Sequence, residues 1–140
     1  MIAGLIHKRA AKDGFEAINQ HDFPKAISPF HDDATLIFPG EIPISGTFKG
    51  KAAIEGFFRT WFDQFPSIHF DIKDIYVKSI FGLRNNTVAV RWDVQETTRD
   101  GRVGKNSGVT VIDVKGAKII RLQDFVFDLG ENMKRLWLAT

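Results

Sequence analysis

Between residues 68 and 128 the chain consists of four strand-length apolar runs, and no other feature narrows its fold as far. The runs lie near 68–81, 87–97, 104–114 and 118–128. Asn85-Asn86, Asp100-Gly101 and Lys115-Gly116 stand between them as turn pairs. Consecutive strands joined by tight turns form an antiparallel meander, and one face of such a sheet must be covered. The cover is encoded just upstream. Ile54, Phe57, Phe58, Trp61, Phe62 and Phe65 recur at helical spacing and make one wide apolar stripe. A helix over 50–65 follows, with Pro66 to end it.

Two helices precede it. Ala11, Phe15 and Ile18 place a helix over roughly the first twenty residues. Asp22 is an N-cap for a second helix, with Pro24 in its first turn and Pro29 limiting its length. "ATLIF" reads as a strand, "PGEIPISG" as a loop, and "GENMKRLWLAT" as a short amphipathic tail. Helices followed by long strands give an α+β chain, its helices set against one face of a curved sheet. With 140 residues and no internal repeat, linker or low-complexity tract, a single domain over 1–140 is expected.

Composition removes several functions. There is no cysteine, so disulfides, thiol catalysis and Cys-based zinc sites are out. The four histidines, His7, His21, His31 and His69, form no ligand pattern, and no metal or cofactor is expected. The net charge is +2, with no basic stripe interleaved with aromatics, so nucleic acid is not an expected partner. No apolar run has spanning length and the apolar start is too short for a leader, so no membrane partner and a cytoplasmic location are expected. Thirteen phenylalanines point to a large core or an apolar cavity.

The last strand, "KIIRLQDFVFD", carries the main functional candidate. Ile120, Leu122, Asp124, Val126 and Asp128 alternate onto one face, which puts Asp124 among apolar neighbours. A buried carboxylate needs a partner or a role. Asp124 is either a structural acceptor or an acid/base group in a pocket. Asp128 reads as a cap for the tail and His69 as a partly exposed strand residue. Phe125 and Phe127 take the opposite face, and two aromatics there call for a cover. A homodimer through the outer sheet face is the expected one. Upstream, "VRWDV" supplies Arg91 and Asp93. Alternation with Val88, Val90, Trp92 and Val94 puts both on the solvent face, and a β-bulge would reverse that.

"FHDDATLIFPG" at 30–40, "GTFKGKAAIEGFF" at 46–58 and "KGAKIIRLQDFVFD", ending in an aromatic-Asp pair, resemble the nuclear transport factor 2-like superfamily, also called the SnoaL-like or ketosteroid-isomerase-like fold. The resemblance implies a cone: a mixed, mostly antiparallel curved sheet wrapped around three helices, enclosing an apolar pocket. It implies a small apolar ligand, with Phe38, Trp61, Phe62, Leu122 and Val126 lining the pocket. The positions that serve proton transfer in ketosteroid isomerases are occupied here by Phe38, by Gly14 or Phe15, and by Ser107 or Val109. That mechanism is therefore not expected. Limonene epoxide hydrolases use an Arg-x-Asp pair and an Asp on the last strand, and this likeness makes Arg91 and Asp93 the catalytic partners of Asp124. The water-holding Tyr and Asn of that family are replaced by Leu36 and Phe38. Two functions follow: cofactor-free acid/base chemistry on an apolar molecule (hydrolase, cyclase, dehydratase or isomerase type), or ligand binding without turnover.

Overall fold

The computed structural model describes residues 2–139. Helix α1 (Ile2–Asn19) and the short α2 (Phe23–Ile27) lead into strand β1 (Phe30–Phe38). Asp22 caps α2 by accepting from the Lys25 N–H, and Pro24 lies in its first turn. Strand β2 (Gly46–Lys49) pairs antiparallel with β1, and α3 (Lys51–Gln64) follows. Gly50 starts α3 at φ +88°, a backbone conformation open to glycine. The remaining strands are β3 (Ser67–Val77), β4 (Asn86–Thr97), β5 (Val103–Lys115) and β6 (Lys118–Val126), and the chain closes in α4 (Glu131–Lys134) and a 3₁₀ turn over Arg135–Trp137.

All six strands form one curved sheet in the order β2-β1-β6-β5-β4-β3. Only β1 and β6 run parallel, so the sheet is mixed and mostly antiparallel. Its inner face meets the α3 stripe, where Ile54, Phe57, Phe58, Trp61 and Phe65 are buried. Aromatic edges lock helices to sheet: Phe15 of α1 on Phe70 at 5.0 Å, and Trp61 of α3 on Phe70 at 5.8 Å between centroids.

Three expectations need correction. Gly46, the last residue of the "PGEIPISG" loop, opens a strand that runs to Lys49. Strand β3 ends at Val77, and Asn86 is the first residue of β4 rather than a turn residue. Its amide organises the 79–85 turn, donating to Ser79 O and Gly82 O and accepting from the Ser79 N–H. Strand β6 ends at Val126. Asp128 accepts from the Gly130 N–H at 3.0 Å, a turn ahead of α4, whose N-cap is Gly130 itself. His69 is exposed, as expected.

The sheet has three register shifts: one lies in β1 between Phe30 and Thr35, and the other two are single-residue bulges that set which side chains face inward. Lys73 is the extra residue between the Ile72–Trp92 and Asp74–Arg91 pairs. Ile120 is the extra residue between the Asp113–Arg121 and Val114–Ile119 pairs, so Ile119, rather than Ile120, shares the inner face with Leu122.

Candidate functional site

Asp124 stands on the inner face of β6, directly opposite Thr110 of β5. Thr110 Oγ1 lies 2.5 Å from Asp124 Oδ1, and Trp92 Nε1 lies 2.9 Å from Thr110 Oγ1. An indole N–H can only donate, so the Thr110 oxygen accepts from Trp92 and its own proton goes to the carboxylate. Burial raises the Asp124 pKa from 3.8 to about 6, against the opposing pull of the Thr110 hydrogen bond. Oδ2 has no hydrogen-bond partner among the described residues. No buried side-chain oxygen there lacks a partner, so Oδ2 is open to a water-sized molecule.

The expected partners are elsewhere. Arg91 and Asp93 project from the outer face of β4, both exposed. Arg91 is paired with Asp74 at 2.7 Å. Asp93 accepts from Ser107 Oγ at 2.7 Å and lies 3.6 Å from Lys73. No bulge interrupts β4 against β5, so simple alternation holds. The Arg-x-Asp pair and Asp124 are therefore on opposite sides of the sheet and do not form one site.

The interior cavity has a volume of about 210 Å³. Its walls are α1 through Ala10, Ala11 and Gly14, Phe58 of α3, and the sheet row Val88–Ile112–Leu122. Of the five expected lining residues, only Leu122 lines it. Phe38 packs on Phe57, Trp61 is buried beneath β4, Phe62 stacks on His21, and Val126 is core. The physical reason is volume. The α3 rings fill their half of the interior, whereas the small residues of α1 leave theirs empty. Asp124 lies one row deeper than the cavity, in the row Val90–Thr110–Asp124, two residues along each strand or about 7 Å.

Two further polar groups on this side were missed from the sequence. His7 is buried, lines the cavity, and donates Nε2–H to Gly82 O at 2.7 Å. Nδ1 has no partner among the described residues, and in the neutral ring it is an acceptor. Its place in the Ala3, His7, Ala11, Phe15 stripe was a usable signal. Glu96 continues the inner series Val88, Val90, Trp92, Val94 and accepts from Trp61 Nε1 at 2.6 Å, and burial raises its pKa. It sits three rows from Asp124, roughly 20 Å along the strands, so the two carboxyls do not act together. Among the described residues no group of three His, Asp or Glu is placed to hold a metal ion.

Comparison with known proteins gives a consistent picture. Residues 11–122 match the family described as SnoaL-like domain. Among solved structures, an NTF2-like protein of unknown function from Burkholderia pseudomallei is similar at TM-score 0.79 and 18% identity, covering 94% of this chain and 97% of that one. A Mycobacterium tuberculosis protein in complex with estradiol-17β-hemisuccinate is similar at TM-score 0.73 and 18% identity, covering 86% and 92%. TerC co-crystallized with polyporic acid is similar at TM-score 0.71 and 18% identity, covering 86% and 89%. No curated protein matches the chain by sequence.

Proposed function

The chain belongs to the SnoaL-like domain family, and on that premise we propose that it binds a small, largely apolar molecule in the cavity between α1 and the sheet. The observation that carries this is the cavity itself: about 210 Å³ with mostly apolar walls, against the roughly 10–15 Å³ that one water requires. Two structural neighbours hold ring compounds, and a flat ring system suits a slot between a helix and a sheet.

Gly14 gives the test. A Cβ built there meets nothing within 4 Å, and the residue faces the cavity. Gly14→Leu should fill the space and strengthen α1, since leucine is a better helix former by about 0.8 kcal/mol. The wild type is expected to enhance the fluorescence of N-phenyl-1-naphthylamine with micromolar affinity, and Gly14→Leu should weaken that binding at least tenfold while melting no lower. Equal binding by both proteins would place the ligand elsewhere.

A second reading adds acid/base chemistry at Asp124. The supporting observation is an accessible Oδ2 on a carboxyl that is half-ionised near pH 6. Oδ2 would take a proton from an enolisable or hydroxylated ligand reaching one row past Leu122 and return it to a second atom. With Arg91 and Asp93 outside, this is single-carboxyl chemistry rather than epoxide opening by an acid pair.

The reading includes a cytoplasmic homodimer joined through the outer sheet face. Phe125 and Phe127 are exposed there, Phe127 to 72%, and Val109 and Val111 lie alongside at half burial. Light scattering should give twice the chain mass at micromolar concentration, and Phe125→Lys with Phe127→Lys should halve it. A stable wild-type monomer would remove this part of the proposal.

A further inference from the structure

The rim of the cavity differs from the rest of the surface. Ile6 and Leu83 line the cavity and are exposed, so the cavity reaches the surface between the start of α1 and the 79–85 turn. The His7–Gly82 hydrogen bond holds these two segments together. Six of the eleven large apolar side chains exposed among the described residues belong to them: Ile2, Leu5, Ile6, Ile80, Phe81 and Leu83. Phe81, at the tip of the turn, is 85% exposed. Single exposed apolar residues need no explanation, but six on two segments joined by a hydrogen bond do.

The charge on the same segments is one-sided. Lys8, Arg9 and Lys12 lie on α1, Lys78 and Arg84 flank the turn, and Lys115 and Lys118 flank the neighbouring β5–β6 turn, which the Ala117 N–H joins to Arg84 O. Helix α1, 78–84 and 115–118 together hold seven of the chain's 19 basic residues and two of its 17 acidic ones: Asp13, which faces Arg9 at 3.7 Å, and Glu16, which accepts from Gln20. The nearby Asp74 is already paired with Arg91. A chain of net charge +2 thus concentrates its cations around an apolar rim.

We propose that this rim docks on an anionic membrane surface, with Phe81, Leu5 and Ile2 entering the acyl boundary and the surrounding lysines and arginines meeting lipid phosphates. Apolar tips within a basic collar are the features that hold a protein on a bilayer without spanning it. No helix among the described residues is long and apolar enough to cross a membrane, and docking requires none. The expectation of no membrane partner rested on spanning length, which does not bear on a docking face. A water-shy ligand would then pass between bilayer and cavity without crossing open water. The docking stands on the rim alone, while this purpose rests on the cavity reading above.

The test is co-sedimentation of the intact chain with vesicles of phosphatidylcholine, alone or mixed with phosphatidylglycerol. The mixed vesicles should retain the protein, the neutral ones should not, and high salt should release it. Phe81→Ser and the double change Lys8→Glu, Lys12→Glu should each lower partition at least tenfold. None of these residues lines the cavity, so both variants should still bind N-phenyl-1-naphthylamine, which separates a failure of docking from a failure of the cavity. No retention on mixed vesicles, equal retention on neutral ones, or undiminished retention of both variants would overturn the proposal. So would self-association of the wild type that Phe81→Ser abolishes, since a second copy would then be the occupant.

Discussion

Asp124→Asn is expected to make the protein more stable at pH 8, by about 2 kcal/mol, or several degrees in melting temperature. The folded state holds the Asp124 carboxyl at a pKa of about 6, against 3.8 for an ordinary aspartate. Below pH 3.8 the group is protonated in both folded and unfolded chains, and burial of its charge costs nothing. Between 3.8 and about 6 the unfolded chain gives up the proton while the folded one keeps it. Stability therefore falls as pH rises through that window, and above it the loss is complete, with an upper value of about 3 kcal/mol. Burial pushes Glu96 in the same direction, so the wild type loses stability from both groups, and the difference between wild type and variant isolates Asp124. Asparagine keeps the shape and still accepts from Thr110, but it carries no charge. Its amide nitrogen needs solvation at the open Oδ2 position, which keeps the gain below the full 3 kcal/mol. At pH 4 wild type and variant should melt within a degree or so of each other. If the proposed acid/base chemistry operates, turnover of an enolisable or hydroxylated apolar substrate should fall by roughly 10²-fold in the variant. Opposite signs for stability and rate are the mark of a group retained for function. A variant less stable than wild type at pH 8 would mean that the carboxylate is a structural acceptor.

Gly108→Ala should be among the most damaging single-methyl additions in the molecule. Gly108 of β5 lies between Trp92 of β4 and Val126 of β6. A Cβ there would stand 2.3 Å from Phe125 O and 2.7 Å from the Trp92 ring. The carbonyl is backbone in a central strand and the indole is buried, so neither gives way without disturbing the ladder. Overpacking of this kind costs about 3 kcal/mol. The shifted indole would also lose Thr110, and the near-ultraviolet circular dichroism should change with it. Gly104→Ala is the control. Its Cβ would strike only the Leu136 side chain, which belongs to the C-terminal turn and can swing aside, and the expected cost is about 1 kcal/mol. A Gly108→Ala protein that melts like wild type would show the sheet to be looser here than its register implies.

The architecture was largely legible because its signals are periodic. The α3 stripe, two of the three turn pairs and the inward face of Asp124 all follow from spacing. The same spacing placed Arg91 and Asp93 outside, and it was the likeness to epoxide hydrolases that drew them inward. On β3 the bulge is written in the sequence, since Ile68, Phe70 and Ile72 alternate and then Ile75 and Val77 resume one residue late around Lys73. The Ile120 bulge leaves no such trace, because Ile119, Ile120 and Leu122 are all apolar. The cavity was misplaced for a different reason. Aromatic residues were taken as its walls, but the space is left by residues that are too small to fill it. Ala10, Ala11 and Gly14 define a void only once α1 is packed on the sheet at a known distance, and sequence spacing does not give that distance.

That the interior of the cone holds a protonatable carboxyl beside a cavity that takes an apolar ligand is the core of the proposed function. It is tested most directly by following the ¹³C resonance of the Asp124 carboxyl through a pH titration, with and without N-phenyl-1-naphthylamine. The expected midpoint in the free protein is about 6, moving upward when the ligand fills the cavity and removes water from the neighbouring row. A midpoint at the ordinary 3.8, unmoved by ligand, would contradict both the burial of Asp124 and its place beside the binding site.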